Sequence, residues 1–346
     1  MRIGILSTLF EINSQSKEVE EDLTQVGMAI KNALEANGHE AAFHDVNEGT
    51  FEELRKDRPD MVFNVCERFN GSSFFEPHIA SMLELMSIPY TGSGPWALAL
   101  CMNKIRVKEI LHHHNVPTPE YQVMTNARQK LAAHLKFPVI VKPAFMDNSI
   151  GITKDSVVND EEGLQKQARN ILKTYSQPVL VEEYLGGREF TVGIIGNELP
   201  FALPIAETLF DSMPEGLPKI LTYDAKWYRQ SQEYQGSPTK CPAEISPELE
   251  AAMKELALKC FSLLGIKDYG RIDFRLDASG RPHVLEMNPN PGMNTEDFIP
   301  AAAAAMGITY NELIALILKE AAERYSIKTQ AEEDGADAGG ADEAEK

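Results

Sequence analysis

The stretch Gly270–Gly292 reads GRIDFRLDASGRPHVLEMNPNPG, which predicts two short strands joined by the turn Asp277–Gly280. Because side chains alternate between the two faces of a strand, the apolar residues of the first strand should face the core together. These residues are Ile272, Phe274 and Leu276. The polar residues of that strand then share the opposite face: Arg271, Asp273 and Arg275.

The returning strand carries a second polar set. With Leu285 and Met287 directed inward, Glu286 and Asn288 fall on the face that carries Asp273. Magnesium is a hard ion that prefers oxygen ligands, commonly one or two carboxylates together with substrate phosphates. The two carboxylates and the amide therefore predict a magnesium–nucleotide site. The alternative is a solvated hairpin face that holds no ligand.

Composition and charge narrow the class of protein. A chain of 346 residues with 43% hydrophobic residues has room for two or three packed α/β units. The formal net charge of −19 argues against nucleic acid and against an anionic membrane surface as partners, because both attract basic proteins. The residues from Ala331 to Lys346 are Ala, Gly, Asp, Glu and one Lys, which predicts a disordered acidic tail.

Cysteine usage indicates a reducing compartment. The four cysteines show no CxxC spacing, so we expect neither a disulfide framework nor a zinc site. The first ten residues, MRIGILSTLF, predict a strand rather than a signal peptide, and no stretch reaches the length of a membrane span. We therefore expect a soluble cytoplasmic protein.

The N-terminal part of the chain alternates strands and helices. The pattern predicts strands at Arg2–Ser7 and Met61–Val65, and helices at Val19–Asn37 and about Phe75–Met86. Such alternation is typical of a parallel sheet. No GxGxxG sequence follows the first strand and no GxxxxGKS/T sequence occurs, so a dinucleotide dehydrogenase is disfavoured and a P-loop is excluded.

The middle of the chain offers a different cradle for a nucleotide. Phe137–Pro143 reads FPVIVKP, a predicted strand with Lys142 near its end, and a loop from Ala144 to Gly151 follows. A lysine in this position can hold phosphate while loop amides cover the terminal phosphate, although an ordinary β-turn would look the same. Pro178–Leu185 predicts an apolar strand whose edge could bind adenine through main-chain groups.

The order of these motifs resembles the ATP-grasp ligases, and most closely the D-alanine–D-alanine ligase family. The similar stretches, between Arg2 and about Arg324, are MLELMSIPYTGSG at Met82–Gly94, FPVIVKP, EYLGGREFTV, TYDAKW at Thr222–Trp227, GRIDF and EMNPNPGM. The resemblance implies an α/β fold with an α+β central part, in which the nucleotide lies between the central and C-terminal domains. The implied domains are residues 1–100, 101–180 and 181–326, followed by a disordered tail at 327–346.

The resemblance also implies roles for individual residues. Phosphate contacts are implied for Lys104, Lys142, Asn148, Ser149, Gly151 and Lys226. Adenine is implied to lie against Glu182, Glu183 and Leu185, and ribose against Glu189. Two magnesium ions, which manganese could replace, are implied at Asp273, Glu286 and Asn288. Arg271 and the amide of Gly292 are implied to stabilise a tetrahedral intermediate.

The chemistry that the resemblance implies needs no nucleophilic side chain. ATP converts a small-molecule carboxylate into an acyl phosphate, and an amine substrate attacks it to form an amide. Lysines, arginine and metal ions would offset the negative charge on the transferring phosphoryl group and then on the oxyanion.

The binding site for the first substrate departs from the family pattern. Before the MLELM helix, family members carry a histidine–glycine and then a glycine-rich glutamate–aspartate–glycine segment. This chain has Asn70 in place of the histidine and Phe75 in place of the glutamate, while Glu76 keeps an acid nearby. Glu18 matches the family's acid for the first substrate's ammonium, although a solvated glutamate at a helix start is equally consistent with the sequence.

A second departure follows Gly292. Asp297 stands in place of a serine that in the family contacts the carboxylate of the second substrate. An aspartate would repel a carboxylate unless it were protonated or bridged by a cation. Trp227 also replaces the family's usual tyrosine. We therefore hypothesise a different amine acceptor, without a free carboxylate or with an added positive charge.

Three functions remain open on the sequence. The first is an ATP-dependent carboxylate–amine ligase that acts on a substrate pair other than two D-alanines. The second is a D-alanine–D-alanine ligase of peptidoglycan precursor synthesis. The third is a non-catalytic ATP-binding regulatory protein. It is disfavoured because the lysines, Arg271 and the predicted metal ligands would all be retained without a reaction to catalyse. The resemblance also implies a homodimer through the N-terminal domain, to which Met82–Met86 could contribute.

Overall fold

The computed structural model describes residues 1–7 and 17–327, and within the second range it describes side chains from Val26 onward. The predicted acidic tail lies outside the described residues except for Ile327, which packs against the core. Glu18 lies in the first turn of a helix, but its side chain is outside the described part. The role predicted for Glu18 therefore stays a prediction.

A parallel sheet forms the N-terminal part of the molecule. Its strands are β1 (Arg2–Ser7), β2 (Glu40–Asp45) and β3 (Met61–Asn64), in the order β2–β1–β3. The helices of this part are α1 (Lys17–Ala36), α2 (Thr50–Asp57), α3 (Glu76–Leu85), α4 (Pro95–Met102) and α5 (Lys104–His113). In β1, Ile3 and Ile5 pack with α1, whereas Leu6 packs with α2 and α3. Both faces of this strand are thus covered, as expected for a parallel sheet.

The predicted parallel alternation is confirmed for this part, but the edge strand β2 was not predicted. Only Ala41 and His44 of its six residues are buried, a weaker signal than the nearly continuous burial of β1. Beyond α3, the chain makes a single parallel bridge between Val62 and Tyr90.

A four-stranded antiparallel sheet follows. Its strands are β4 (Tyr121–Met124), β5 (Val139–Pro143), β6 (Val157–Val158) and β7 (Val179–Glu183), in the order β4–β7–β5–β6. Helix α6 (Glu161–Tyr175) covers one face, and its N-cap Asp160 accepts a hydrogen bond from the backbone N–H of Gly163 at 2.8 Å. Lys142 is buried near the end of β5, as predicted.

The C-terminal sheet carries the hairpin. Its strands are β8 (Glu189–Ile195), β9 (Phe201–Ala202), β10 (Ala206–Thr208), β11 (Thr239–Lys240), β12 (Tyr269–Leu276) and β13 (Pro282–Asn288). The order is β11–β10–β8–β12–β13, with β9 paired to β8. The helices are α7 (Tyr223–Trp227), α8 (Gln232–Gln235), α9 (Pro247–Leu263), α10 (Phe298–Ala305) and α11 (Tyr310–Arg324).

The hairpin of β12 and β13 corrects one sequence prediction. Asp273 pairs with Glu286, but Phe274 pairs with Val284, so Leu285 is the extra residue of a β-bulge. Val284 is fully buried and Leu285 is only half-buried. The inward position predicted for Leu285 is therefore wrong, because strict alternation does not anticipate a bulge.

The N-terminal and C-terminal sheets share one hydrophobic core. Ile3 and Ile5 of β1 belong to the same cluster as Ile299 of α10 and Leu313 and Ile317 of α11. The central sheet has its own cluster with α6. The three sheets correspond to the three implied domains. The boundaries of those domains stay a prediction.

A buried ion pair joins the same two parts. Asp268 accepts hydrogen bonds from the backbone N–H of Gly92 at 2.7 Å and from Arg324 at 2.9 Å. Arg324 also donates to the carbonyl of Tyr90 at 2.8 Å.

Within the described residues, no single helix is both long and apolar enough to cross a membrane; α10 and α11 pass that test only as a pair bent by 108°.

Candidate active site

The polar face of the hairpin brings together the residues predicted for it. Asp273 lies opposite Glu286, and Arg271 lies opposite Asn288, so all four side chains project from one face of the sheet. Arg271 donates to Asp273 through Nη2 at 3.0 Å, and the hydroxyl of Thr191 on β8 donates to Asp273 at 2.9 Å. The predicted convergence of these residues is confirmed.

Lys104, the first residue of α5, reaches the same face. Its Nζ lies 2.9 Å from Glu286 Oε2, and both side chains are largely buried. Burial alone would raise the pKa of Glu286, but Lys104 and Lys142 outweigh it and hold that pKa far below the usual range. The Glu286 carboxylate is therefore negatively charged in its cationic surroundings.

The hairpin face also fits a magnesium ion. Burial raises the pKa of Asp273; Arg271 opposes this effect and the charge of Glu286 adds to it. A divalent cation between the two carboxylates would relieve their repulsion. The described part of the chain holds no cluster of three or more His, Cys, Asp or Glu side chains suited to a metal. A magnesium site here thus depends on the amide oxygen of Asn288 as its third protein ligand.

A second charged cluster lies under the central sheet. Glu182 on β7 forms ion pairs with Lys142 on β5 and with Lys108 on α5, and all three side chains are almost fully buried. Lys108 also donates to the hydroxyl of Thr118 at 2.7 Å. Burial would raise the pKa of Glu182, but the two lysines lower it overall. Glu182, predicted to line the adenine site, thus holds Lys142, which is predicted to contact phosphate.

The residues predicted for adenine and ribose lie on neighbouring strands. Glu183 is the exposed last residue of β7, and Leu185 just beyond it is buried. Glu189 begins β8, and its carboxylate accepts a hydrogen bond from Arg275 at 2.6 Å. Burial raises the pKa of Glu189 to about 7, although Arg275 opposes the rise. The buried guanidinium of Arg275 thus favours the ionised form of a carboxylate that burial alone would keep protonated.

Two predicted phosphate loops meet each other. Lys226 on α7 donates to the side-chain oxygen of Asn148 at 2.9 Å, and Trp227 donates to the carbonyl of Asn148 at 3.2 Å. Ser149 donates to the carbonyl of Leu221 at 3.1 Å. At Gly151, φ is +81° and an added Cβ would lie 2.5 Å from Pro143, so this end of the loop requires glycine.

Lys226 and Arg271 are close enough to influence each other's charge. Burial lowers the pKa of Lys226, and the positive charge of Arg271 lowers it further. Three acids partly offset this effect: Asp147, Glu286 and Glu67. Lys226 therefore interacts electrostatically both with the polar face of the hairpin and with Glu67 in the loop that follows β3.

Glu67, in that loop, was not predicted as a site residue. Its Oε2 accepts a hydrogen bond from the side-chain amide of Asn148 at 3.4 Å. Burial raises the pKa of Glu67, and Asp297 and Asp147 add to the rise, whereas Lys226 and Arg68 oppose it. A carboxylate thus stands beside the cations that face the hairpin.

Asn70 and Glu76 occupy very different surroundings. Asn70 is exposed, with φ of 49°, in the tight turn closed by the bridge between Phe69 and Ser72. Glu76 accepts a hydrogen bond from Asn290 at 2.8 Å, and burial raises its pKa well above the usual value. Glu76 therefore faces the interior of the site, and Asn70 faces solvent.

Asp297, the N-cap residue of α10, packs against the backbone of Gly292. Its Oδ2 accepts a hydrogen bond from the backbone N–H of Asn294 at 2.7 Å. A Cβ added to Gly292 would lie 2.5 Å from the same oxygen, so a larger residue there would displace the Asp297 carboxylate. The sequence therefore places a carboxylate directly beside the predicted oxyanion amide.

Known proteins similar to this chain share one family. A family model described as "D-ala D-ala ligase C-terminus" matches residues 110–319. A D-alanine–D-alanine ligase from Bordetella petrii is 34% identical over 312 residues, which cover 88% of this chain and 90% of that protein. The chain belongs to the D-alanine–D-alanine ligase family.

Other similar proteins include two further relatives and a solved structure. The D-alanine–D-alanine ligase of Ectopseudomonas mendocina is 34% identical, with 92% of this chain and 95% of that protein covered. The uncharacterized protein y4sG of Sinorhizobium fredii is 34% identical, with 87% and 88% covered. The crystal structure of D-alanine–D-alanine ligase from Bacillus anthracis complexed with ATP is 23% identical, with a TM-score of 0.73 over 94% of this chain and 99% of that chain.

Family membership confirms the predicted fold and class of activity. The fold is the ATP-grasp fold, and this member of the D-alanine–D-alanine ligase family is an ATP-dependent ligase that forms C–N bonds. Nothing in these similarities favours the alternative of a non-catalytic ATP-binding protein. The roles given to individual residues stay predictions.

In this ligase, sequence analysis missed three groups that the fold brings into the site: Glu67, Lys108 and Asn290. Lys108 follows Lys104 by one helical turn, a spacing that places both lysines on one face of α5 and could have revealed it. Asn290 follows Asn288 by two residues and connects it to Glu76. For Glu67, the sequence offered one indication, its position in the loop that follows the buried strand β3.

Proposed function

We propose that this ligase uses Mg²⁺ and ATP to activate a small carboxylic acid as an acyl phosphate and joins it to an amine other than D-alanine. The observation that carries the choice of acceptor is Asp297 beside Gly292. A carboxylate in that position repels an acceptor carboxylate and attracts a positive charge. We therefore assign an acceptor without a free carboxylate there, or one with an additional cationic group.

The buried cations support the activation step. Lys104, Lys142 and Lys226 lie on three different elements and would contact the phosphates of ATP, with adenine near Leu185 and ribose near Glu189. Partly desolvated cations stabilise a transferring phosphoryl group more strongly than cations in water do. The carboxylates Glu182 and Glu286 hold two of these lysines in place.

The hairpin supports the use of magnesium. Asp273, Glu286 and Asn288 would hold two ions, and Mn²⁺ could substitute because it accepts the same oxygen ligands. Bound there, the metal would supply Lewis-acid stabilisation of phosphate charge. Arg271 already neutralises part of the carboxylate charge on this face.

Arg271 supports the second step, in which the amine attacks the acyl phosphate. Burial would lower the pKa of Arg271, but Asp273 and Glu286 outweigh it, so the guanidinium stays charged. Together with the backbone N–H of Gly292, it would stabilise the oxyanion of the tetrahedral intermediate.

A D-alanine–D-alanine ligase of peptidoglycan precursor synthesis is the second candidate. It is favoured by the names of relatives that cover most of this chain. Direct product analysis separates the two candidates: purified protein with Mg²⁺ and ATP is given pools of D- and L-amino acids, hydroxy acids, amines and dipeptides, and the products are identified by mass spectrometry. We expect an amide other than D-alanyl-D-alanine; that dipeptide as the main product would support the second candidate.

We also place the ligase in the cytoplasm, acting on small molecules without a nucleic-acid or membrane partner. The net charge of −19 supports this placement, because nucleic acids and anionic membranes attract basic surfaces. The described cysteines are all free thiols, which suits a reducing compartment.

The packed helices α3 and α4 support a homodimer through the N-terminal part. Leu85 on α3 is 82% exposed and Trp96 on α4 is 89% exposed, and large exposed apolar side chains often mark interfaces. Trp96→Glu should therefore convert dimers to monomers in sedimentation velocity. Leu199→Glu, at an equally exposed leucine of the β8–β9 loop, is the matched control. A monomeric unsubstituted protein, or dimers unaffected by Trp96→Glu, would contradict this interface.

A further inference from the structure

Amide formation requires a group that accepts a proton, and no predicted site residue has yet been given that role. At neutral pH an aliphatic amine is an ammonium ion, and it must lose a proton before its nitrogen can attack a carbonyl carbon. Asn70 and Trp227 carry no basic atom. The lysines and Arg271 are assigned to the negative charges of the phosphates and of the oxyanion. A carboxylate near the reacting carbon is the remaining kind of group that could take the proton.

Glu67 lies where such a base is needed. It follows β3, at the carboxyl end of a parallel strand, where α/β proteins commonly place ligand-binding loops. The side chain of Asn148 connects it to Lys226: Asn148 donates to Glu67 at 3.4 Å and accepts from Lys226 at 2.9 Å. Lys226 in turn is close to Arg271. Glu67 therefore stands beside the cations that would surround the acyl phosphate.

The charged groups around Glu67 come from four segments of the chain. Lys226 on α7 and Arg68 in the same loop favour its ionised form, whereas Asp297 before α10 and Asp147 in the loop after β5 disfavour it. Burial also favours the neutral form, so the pKa lies above that of an exposed glutamate. A carboxylate in this balance is a stronger base than usual, which suits proton transfer near neutral pH.

The three other acids of the region are engaged by shorter hydrogen bonds. Asp147 accepts from the backbone N–H of Asn148 at 2.7 Å. Glu76 is held by Asn290 at 2.8 Å, and Asn290 is also bound by the hydroxyl of Tyr269 at 2.7 Å. Asp297 accepts from the backbone of Asn294 at 2.7 Å. The contact of Glu67 with Asn148, at 3.4 Å, is longer than any of these bonds, so it constrains the Glu67 carboxylate the least.

We propose that Glu67 is the general base of the ligation step; this assignment rests on the proposed ligase function. One N–H bond of the acceptor ammonium breaks and an O–H bond forms on Glu67. The neutral amine then forms a C–N bond to the acyl carbon, and the C–O bond to phosphate breaks with its electron pair on phosphate. The second proton of the attacking nitrogen leaves with the phosphate.

Hydroxylamine provides a test that separates activation from deprotonation. It is largely neutral at neutral pH, so it can trap an acyl phosphate as a hydroxamate without help from a base. The full chain is assayed with Mg²⁺, ATP and the donor from the product analysis, either with its amine acceptor or with hydroxylamine. In Glu67→Gln, amide formation should fall about a hundredfold or more. Hydroxamate formation should stay close to that of the unsubstituted protein.

Two variants keep this test decisive. Glu84→Gln makes the same acid-to-amide change at an exposed position on α3 and should preserve both products. Glu67→Asp retains a carboxylate and replaces Glu67→Gln in the assay if circular dichroism shows that Glu67→Gln does not fold. Glu67→Asp should lose amide formation while it keeps hydroxamate formation. Equal loss of both products, or full retention of amide formation, would overturn the assignment. Absence of hydroxamate with the unsubstituted protein would instead refute the acyl-phosphate chemistry, and the base with it.

Discussion

At the nucleotide end of the active site, each buried lysine faces a buried acid: Lys104 pairs with Glu286, and Lys142 and Lys108 pair with Glu182. At the predicted substrate end, Glu67, Glu76 and Asp297 bring three acids together, and the pKa values of Glu67 and Glu76 are raised. The nucleotide end keeps the residues that the family resemblance implies. The substrate end replaces a histidine, a serine and a tyrosine of the family pattern with residues of different charge or shape.

The difference between these two regions follows from what each must recognise. Phosphate transfer depends on placing positive charge around a common group, so one arrangement of charged residues can serve ligases with different substrates. Acceptor recognition depends on the shape and charge of one molecule, and a single acid can reverse the preference. We infer that this ligase has kept the activation chemistry and changed the acceptor.

The largest expected effect breaks the nucleotide end. Lys142→Ala removes a phosphate contact and leaves Glu182 with Lys108 as its partner, so donor-dependent ADP formation should fall about 10²- to 10³-fold. Lys136→Ala, at an exposed lysine of the same part of the chain, is the control and should keep full activity. Retained ADP formation in Lys142→Ala would contradict the assignment of this lysine.

A second change weakens the metal face. Glu286→Gln keeps the shape of the side chain but removes a negative charge opposite Asp273. The Mg²⁺ concentration needed for half-maximal ADP formation should rise about tenfold or more. A titration of ADP formation against Mg²⁺ at fixed ATP measures this shift, and an unchanged midpoint would argue against a metal ligand at this position.

A smaller effect concerns stability. Lys108→Met removes one cation from the buried cluster around Glu182 and should lower the free energy of unfolding by about 3 kcal/mol. Lys254→Met, in a surface pair on α9, should change it by less than about 0.5 kcal/mol. Urea denaturation measures both. Equal effects of the two substitutions would contradict a structural role for Lys108.

The sequence predicted the site best where the chemistry lies within one local motif. Arg271, Asp273, Glu286 and Asn288 belong to a single hairpin, and strand alternation was enough to place them on one face. The bulge at Leu285 escaped prediction because alternation carries no information about an inserted residue. Val284, two positions before Glu286, took the core position instead.

Residues brought together from distant parts of the chain were harder to predict. Glu67 meets Asn148 and Lys226, which lie about 80 and 160 positions further along the chain, and no local pattern encodes that meeting. The helical spacing between Lys104 and Lys108 could have indicated that both lysines face the site. The partner of Lys108, Glu182, lies on β7 of the central sheet, far along the chain. The substituted residues indicate that the substrate end differs from the family pattern. How Glu67, Glu76 and Asp297 are arranged there depends on the fold.

Acceptor choice is the most direct test of the contrast between the two ends. The measurement is a competition in which one activated donor is offered D-alanine, D-alaninamide and a diamine at equal concentrations, with products quantified by mass spectrometry for the unsubstituted protein and for Asp297→Ser. We predict that the unsubstituted protein prefers the acceptors without a carboxylate and that Asp297→Ser shifts the preference toward D-alanine about tenfold. A preference for D-alanine in the unsubstituted protein, unchanged by the substitution, would contradict the account.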